Sequence, residues 1–239
     1  MLLPGFEART IATSSTRIHL RHAGDGPPLL LLHGFPQTHA MWHAVAPRLA
    51  EQFHVICADL RGYGDSAKPP GGPDHAGYAK RAMAQDMADV MAALGYPLFM
   101  VAGHDRGARV THRLALDHPQ AVTRACVMDI VPTRHMFRHT DQAFATGYYH
   151  WFFLIQPDGL PEKMIGADPD YYLRECLRRW TPPGTRFDDR ALAEYLRCYR
   201  APEVIHGACE DYRAGAGIDL VHDDADYGRH RIECPLLVL

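Results

Sequence analysis

Short, continuous apolar runs alternating with helix-like stretches constrain the fold of this chain more than any other feature. Leu29-Leu30-Leu31-Leu32-His33 is closed by Gly34, and His54-Val55-Ile56-Cys57-Ala58-Asp59 follows after a helix-like stretch from Met41 to Ala50. Runs with no polar alternation need cover on both faces, the condition of buried parallel strands joined by crossover helices. The pattern continues through a helix-like stretch from Tyr78 to Leu94, an apolar run from Pro97 to Ala102, a helix-like segment from Val110 and a further strand from Ala125 to Asp129. Strands and helices in this order predict an α/β protein with a mostly parallel sheet flanked by helices.

From Ile130 to Tyr212 the pattern changes to aromatic-rich, helix-like segments broken by Pro157, Pro161, Pro169, Pro182 and Pro183. This reads as an inserted helical cap. The expected organisation is a core over residues 1–129, a cap over 130–212 and a return to the core over 213–239, with sheet-like sequence only from Cys234 to Leu239. A chain of 239 residues suits one α/β domain with an insertion better than two independent domains.

A net charge of -3 gives no electrostatic reason to expect nucleic acid or an anionic membrane as partner. Cys57, Cys126, Cys176, Cys198, Cys209 and Cys234 are scattered with no C-x-x-C pair, so reduced thiols are expected rather than a zinc site or a disulfide framework. The N-terminus lacks a basic start followed by an apolar core, and no apolar run approaches the ~20 residues of a membrane span. A cytoplasmic location is expected, with no metal and no cofactor.

The chemistry centres on Gly103-His104-Asp105-Arg106-Gly107, which lies between an apolar run and a helix-like stretch. A sharp strand-to-helix turn lets the central side chain stand clear of the backbone, while the first helical amides face an anion. G-x-x-x-G frames are common in ordinary loops, and two further tracts raise the specificity. His33-Gly34-Phe35-Pro36 follows one strand where a second oxyanion donor, the Phe35 amide, is needed, and Asp59-Leu60-Arg61-Gly62-Tyr63-Gly64-Asp65-Ser66 follows the next. The Phe35-Pro36 bond is cis or trans as far as the sequence goes.

These tracts, in this order, resemble the α/β-hydrolase superfamily and its aspartate-nucleophile branch, which includes epoxide hydrolases, haloalkane dehalogenases and haloacetate dehalogenases. The resemblance runs from about Ile18 to Leu239 and implies an α/β-hydrolase fold. An aspartate elbow fits displacement at a saturated carbon. Serine attack there would leave an ether with no easy hydrolytic exit, whereas carboxylate attack leaves an ester that water can open at its carbonyl.

The residue after the nucleophile narrows the branch. Epoxide hydrolases usually carry tryptophan there, but this chain has Arg106 and, three residues on, Arg109, which share a helix face close to Asp105. Paired guanidiniums suit a carboxylate substrate. With His150-Trp151 in the cap and Tyr212 they resemble the haloacetate (fluoroacetate) dehalogenase set. The resemblance implies that Arg106 and Arg109 bind the carboxylate, that His150, Trp151 and Tyr212 donate to the departing halide, and that Asp129 is the triad acid. It also implies that the Phe35 and Arg106 amides hold the oxyanion and suggests a homodimer. The family's catalytic histidine sits in a loop after the last strand. The chain is therefore expected to end before that histidine, with a last strand and helix also missing, because His206, His222 and His230 precede the final sheet-like run.

The expected reaction is hydrolytic removal of halide from a haloacetate, fluoroacetate included, giving glycolate through an aspartyl ester. An epoxide hydrolase, with Tyr148, Tyr149 or Tyr212 as acid donors, remains the enzymatic alternative. An inactive carboxylate-binding homologue is the alternative of another class.

Overall fold

The computed structural model describes residues 2–239. The chain opens with β1 (Glu7–Ala12), β2 (Arg17–Ala23) and β3 (Pro28–Leu32), then the short helix α1 (Ala46–Leu49), β4 (His54–Ala58), α2 (Lys80–Ala93), β5 (Phe99–His104), α3 (Arg106–Asp117) and β6 (Val122–Met128). Helices α4 (Thr133–Arg138), α5 (Gln142–Gly147), α6 (Tyr149–Leu154), α7 (Leu160–Ala167), α8 (Pro169–Arg179), α9 (Asp189–Tyr199), α10 (Pro202–Ala216) and α11 (Ile218–Asp226) follow, and β7 (Leu236–Val238) closes the series.

The strands form one seven-stranded sheet in the order β1-β2-β4-β3-β5-β6-β7. The β1–β2 and β2–β4 pairings are antiparallel, and from β4 through β7 every pairing is parallel. The parallel part follows the apolar runs. The β1–β2 hairpin is an addition that those runs did not announce, because Glu7 to Ala12 are mostly exposed and break the apolar run with Glu7, Arg9 and Thr10.

Alternation along the buried strands divides the core in two. Leu30, Leu32, Ile56 and Ala58 belong to a large cluster with Met83, Met87, Val110 and Leu114, whereas Leu31, Val55 and Cys57 pack with Leu3, Phe6, Trp42 and Ala46. Successive side chains thus point to opposite faces, and each face has its own cover. The stretch from Met41 to Ala50 is less regular than expected: a 3-10 turn over His39–Ala44 precedes α1. Pro47 in the first turn of α1 fits a position whose N–H needs no intrahelical partner.

Between β6 and β7 the ordered elements are all helical, as the proline-broken stretch predicts. The boundary drawn after Tyr212 falls inside α10, which continues to Ala216 and packs on α6, α7, α9 and α11. β7 lies at the sheet margin, with Leu237 and Val238 more than half exposed, and its pairing with β6 carries Leu239 to Asp129, whose N–H donates to the Leu239 carbonyl at 2.9 Å. All six cysteines are free thiols, and among the described residues no helix is long and apolar enough to cross a membrane.

Candidate active site

Asp105 sits at the carboxyl end of β5 as the residue that starts α3, with φ 48° and ψ -115°. A non-glycine residue held there costs on the order of 1–3 kcal/mol, which surrounding packing must offset. The flanking glycines allow that packing. A Cβ on Gly103 would lie 2.4 Å from the Gly107 carbonyl oxygen, and one on Gly107 would lie 2.4 Å from the Leu32 carbonyl oxygen. The frame therefore lets α3 rest directly on β3 and β5 and aims Asp105 out of the turn.

Oδ1 of Asp105 accepts the Phe35 N–H at 2.9 Å, while Oδ2 makes no hydrogen bond among the described residues. One oxygen is held and the other is free, a usable arrangement for a nucleophile. The held oxygen is also the one that stays a carbonyl once the free one is esterified, so the Phe35 amide is placed to meet an oxyanion. The Phe35-Pro36 peptide is cis.

Asp105 opens into a cavity of about 730 Å³. Phe35, His104, Arg109, Asp129, Tyr148, His150, Trp180 and Tyr212 line it, with Met41, Met136, Leu177 and Phe187 on its apolar side. Of the seven other residues singled out from sequence as catalytic or binding groups, five line this cavity with Asp105: Phe35, Arg109, Asp129, His150 and Tyr212.

The two arginines separate. Arg109 faces the cavity. Its Nη1 donates to the Val131 carbonyl at 2.8 Å and to Thr133 Oγ1 at 3.0 Å, its Nε has no partner, and its guanidinium stacks 4.6 Å from the Trp151 ring. Among the described residues no carboxylate pairs with it, and burial, then the neighbouring Arg106 charge, pushes its pKa down to about 10. It is still a cation at neutral pH. Arg106 turns the other way and does not line the cavity: Nε and Nη2 donate to the Asp211 carboxylate at 2.8 and 2.6 Å. The helix spacing put both side chains on α3 as expected, but it carried no information about Asp211, which is 105 residues away.

The candidate halide donors form one aromatic group. His150 lies 5.7 Å from the Tyr212 ring, and Trp151 lies 6.1 Å from it, behind the cavity wall rather than on it. The Tyr212 hydroxyl and the Trp151 Nε1–H make no hydrogen bond among the described residues, and His150 Nδ1 is buried without a partner. Burial, followed by the proximity of Asp105, raises the Tyr212 pKa well above the ordinary tyrosine value, so its hydroxyl keeps its proton. Burial likewise lowers His150 to about 4 against the opposing pull of Asp105, so the ring is neutral at pH 7 and one ring nitrogen is a donor.

Asp129 stands at the cavity edge, its side chain 86% exposed and its backbone at φ 55°. Oδ2 lies 3.9 Å from Nε2 of His104, a residue that the sequence reading passed over although it directly precedes Asp105. His104 and His150 are the histidines among the cavity-lining residues. His206 pairs with Glu162 at 3.0 Å, His230 pairs with Asp226 at 3.1 Å, and His222 lines a separate groove with His230, so none of the three reaches Asp105.

Away from the cavity, His19, His39 and Asp59 bring ligand-type atoms within 4.8 Å of one another. Asp59 is already engaged, accepting the His39 N–H at 2.7 Å, His39 Nδ1 at 2.9 Å and the Asp65 N–H at 2.9 Å. These bonds tie down the loop that begins at Asp59.

Residues 27–193 match the family model of the alpha/beta hydrolase fold. The chain is 50% identical over 238 residues to a fluoroacetate dehalogenase of Burkholderia sp, covering 99% of this chain and 78% of that protein. It is 36% identical over 206 residues to a soluble epoxide hydrolase of Corynebacterium sp. (strain C12), covering 83% and 69%. Among solved structures, a candidate epoxide hydrolase of Pseudomonas aeruginosa, a mutant with bound MFA, superposes with a TM-score of 0.95 at 49% identity, covering 100% of this chain and 80% of that one.

Proposed function

The chain belongs to the α/β-hydrolase family, on its haloacetate dehalogenase branch, and from that premise we propose that it removes halide from small α-halocarboxylates, fluoroacetate among them. The observation that carries this reading is an unpaired buried cation, Arg109, in the same cavity as an aspartate with one free oxygen. A neutral substrate gives that cation nothing to bind, whereas a carboxylate offsets its cost of burial.

Substrate binds with its carboxylate at Arg109 and its α-carbon facing Oδ2 of Asp105. Oδ2 attacks that carbon from the side opposite the carbon–halogen bond, the bond breaks, and the halide leaves with the bonding electrons. Tyr212 and His150, which line the cavity, donate hydrogen bonds to it as charge develops, while the Trp151 ring behind the wall packs under Arg109. The product is an ester between Asp105 and the substrate. Water then adds to the ester carbonyl, whose oxygen is Oδ1, and the Phe35 N–H, assisted by the Arg106 amide at the start of α3, stabilises the oxyanion. Collapse releases a 2-hydroxy acid, glycolate from a haloacetate, and restores the Asp105 carboxylate. Asp129 and His104 stand together at the cavity edge where the proton from water must go.

Epoxide hydrolysis is the second reading, favoured by the presence of both Tyr148 and Tyr212 on the cavity wall, where two hydroxyls can protonate an epoxide oxygen. Arg109 separates the two. The test is to incubate the protein with fluoroacetate, chloroacetate and a neutral epoxide such as styrene oxide, measuring free halide and diol. Halide release with a mass increase on the Asp105 peptide supports dehalogenation. Diol formation with no halide release rules it out.

A further inference from the structure

Asp211 precedes Tyr212 on α10, is fully buried, and collects the polar groups behind the cavity wall. It accepts from Arg106 Nε and Nη2, from the Tyr63 hydroxyl at 2.7 Å and from Lys80 Nζ, and its carbonyl oxygen accepts Arg106 Nη2 at 2.8 Å. Burial alone would raise its pKa, but the Arg106 and Lys80 charges overcome that and hold the carboxyl below the usual carboxylate range. Lys80 Nζ lies 3.4 Å from Asp219 Oδ2, and the Lys80 N–H donates to Asp219 Oδ1 at 2.7 Å. Two cations, Arg106 and Lys80, thus face two anions, Asp211 and Asp219, and the group is electrically balanced without Arg109.

Breaking such a group is costly, but an apolar replacement of similar shape is often as stable, so stability alone is a weak reason for its presence. Geometry supplies another. The Arg106 guanidinium that Asp211 grips lies 4.2 Å from the centre of the Tyr212 ring, and Tyr212 lines the cavity with its hydroxyl unspent. The contact runs from Asp211 through Arg106 to the face of a halide donor.

We propose that Asp211 is a positioning residue: it fixes Arg106 against Tyr212 so that the Tyr212 hydroxyl is held at the leaving-group position. This rests on the dehalogenation reading, and it goes beyond that reading by placing control of halide stabilisation in a residue that touches no substrate.

The test uses the full chain carrying Asp211→Asn, Asp211→Glu or Lys80→Met, with two readouts: bromide affinity by titration, and the initial rates of fluoride and chloride release from fluoroacetate and chloroacetate. Asp211→Asn is expected to lower bromide affinity and fluoride release by on the order of tenfold to a hundredfold, the scale of a misplaced catalytic group. Asp211→Glu keeps the charge but moves it by one methylene, and should restore part of the loss. Lys80→Met should lower the melting temperature while leaving bromide affinity near that of the parent. Should Asp211→Asn fail to fold, Asp211→Glu decides the matter, since a purely structural carboxylate would leave bromide affinity unchanged. The proposal is overturned by parent-like bromide affinity in a folded Asp211 variant, by an equal loss of affinity in Lys80→Met, or by a parent protein that binds no bromide. Failure of the dehalogenation reading looks different: the parent binds bromide but releases no halide from any haloacetate.

Discussion

The Phe35 N–H donates to Oδ1 of Asp105 across 70 residues of sequence, so the proposed nucleophile and its proposed oxyanion donor are already in contact. That contact requires the backbone before Phe35 to approach the Asp105 side chain closely. A Cβ on Gly34 would lie 2.6 Å from Asp105 Cβ, and 3.0 Å from both Asp105 Oδ1 and His104 Nδ1. Gly34→Ala must therefore push the aspartate or the loop aside. Halide release should fall by on the order of a hundredfold, since displacement by about an ångström suffices for such a loss. Stopped-flow measurement of the first halide released per protein would check this, and parent-like rates would show that the loop yields without moving Asp105.

Arg106 and Arg109 should respond differently to removal. Arg109→Ala takes away the unpaired cation at the cavity, so kcat/KM for a haloacetate should drop by on the order of 2 kcal/mol, roughly 30-fold, with little change in melting temperature. Arg106→Ala leaves the buried Asp211 short of its main partner, and stability should fall by about 3–5 kcal/mol. Comparing thermal melts with haloacetate kinetics for the two variants tests this. Equal melting losses would mean that Arg109 is as structural as Arg106.

Sequence was most informative where the physics is local. Continuous apolar runs located β3, β4 and β5, because strands buried on both faces need them, and the glycine frame located the elbow, because close packing of α3 leaves no room for a Cβ. The β1–β2 hairpin was missed, since β1 is mostly exposed and β2 alternates polar residues with the buried Ile18 and Leu20, so neither carries such a run. The same limit applies to the site. Helix spacing could bring Arg106 and Arg109 onto α3, but which of them faces the cavity depends on Asp211, and nothing in the local pattern points 105 residues ahead. His104 was legible only as a neighbour of Asp105. Its approach to Asp129 comes from β5 and β6 lying side by side, with His104 in register with Met128.

His150 makes stability depend on acidity. Its pKa is lowered to about 4 in the folded protein from an ordinary value of 6.5, so the unfolded chain binds the proton more readily between those two values. Stability contributed by the neutral ring is fully present above pH 6.5 and is lost as pH falls towards 4, by on the order of 3 kcal/mol. His39 acts in the opposite direction, because its pKa is raised, so the His150 part has to be isolated by substitution. Denaturant melts of the parent and His150→Phe at pH 6.5 and pH 4.5 should show a smaller drop in the variant. Equal drops would assign the acid sensitivity to other groups.

Tyr212 gives the sharpest test of leaving-group chemistry. Its hydroxyl is protonated and has no acceptor among the described residues, and Tyr212 lines the cavity, so in the proposed reaction a departing halide is its partner. Fluoride concentrates its charge in a smaller volume than chloride or bromide and depends more on fixed donors in a water-poor pocket. Tyr212→Phe should therefore slow fluoride release by about tenfold more than bromide release, the equivalent of roughly 1.4 kcal/mol in the barrier. Trp151→Phe provides the comparison, because Trp151 lies behind the wall under Arg109 and its loss also disturbs the carboxylate end of the site. Initial halide release from fluoroacetate, chloroacetate and bromoacetate, measured for both variants, separates the effects: a loss graded by halide in Tyr212→Phe and a more even loss in Trp151→Phe. An even loss across the three halides in Tyr212→Phe would reduce Tyr212 to a piece of the cavity wall.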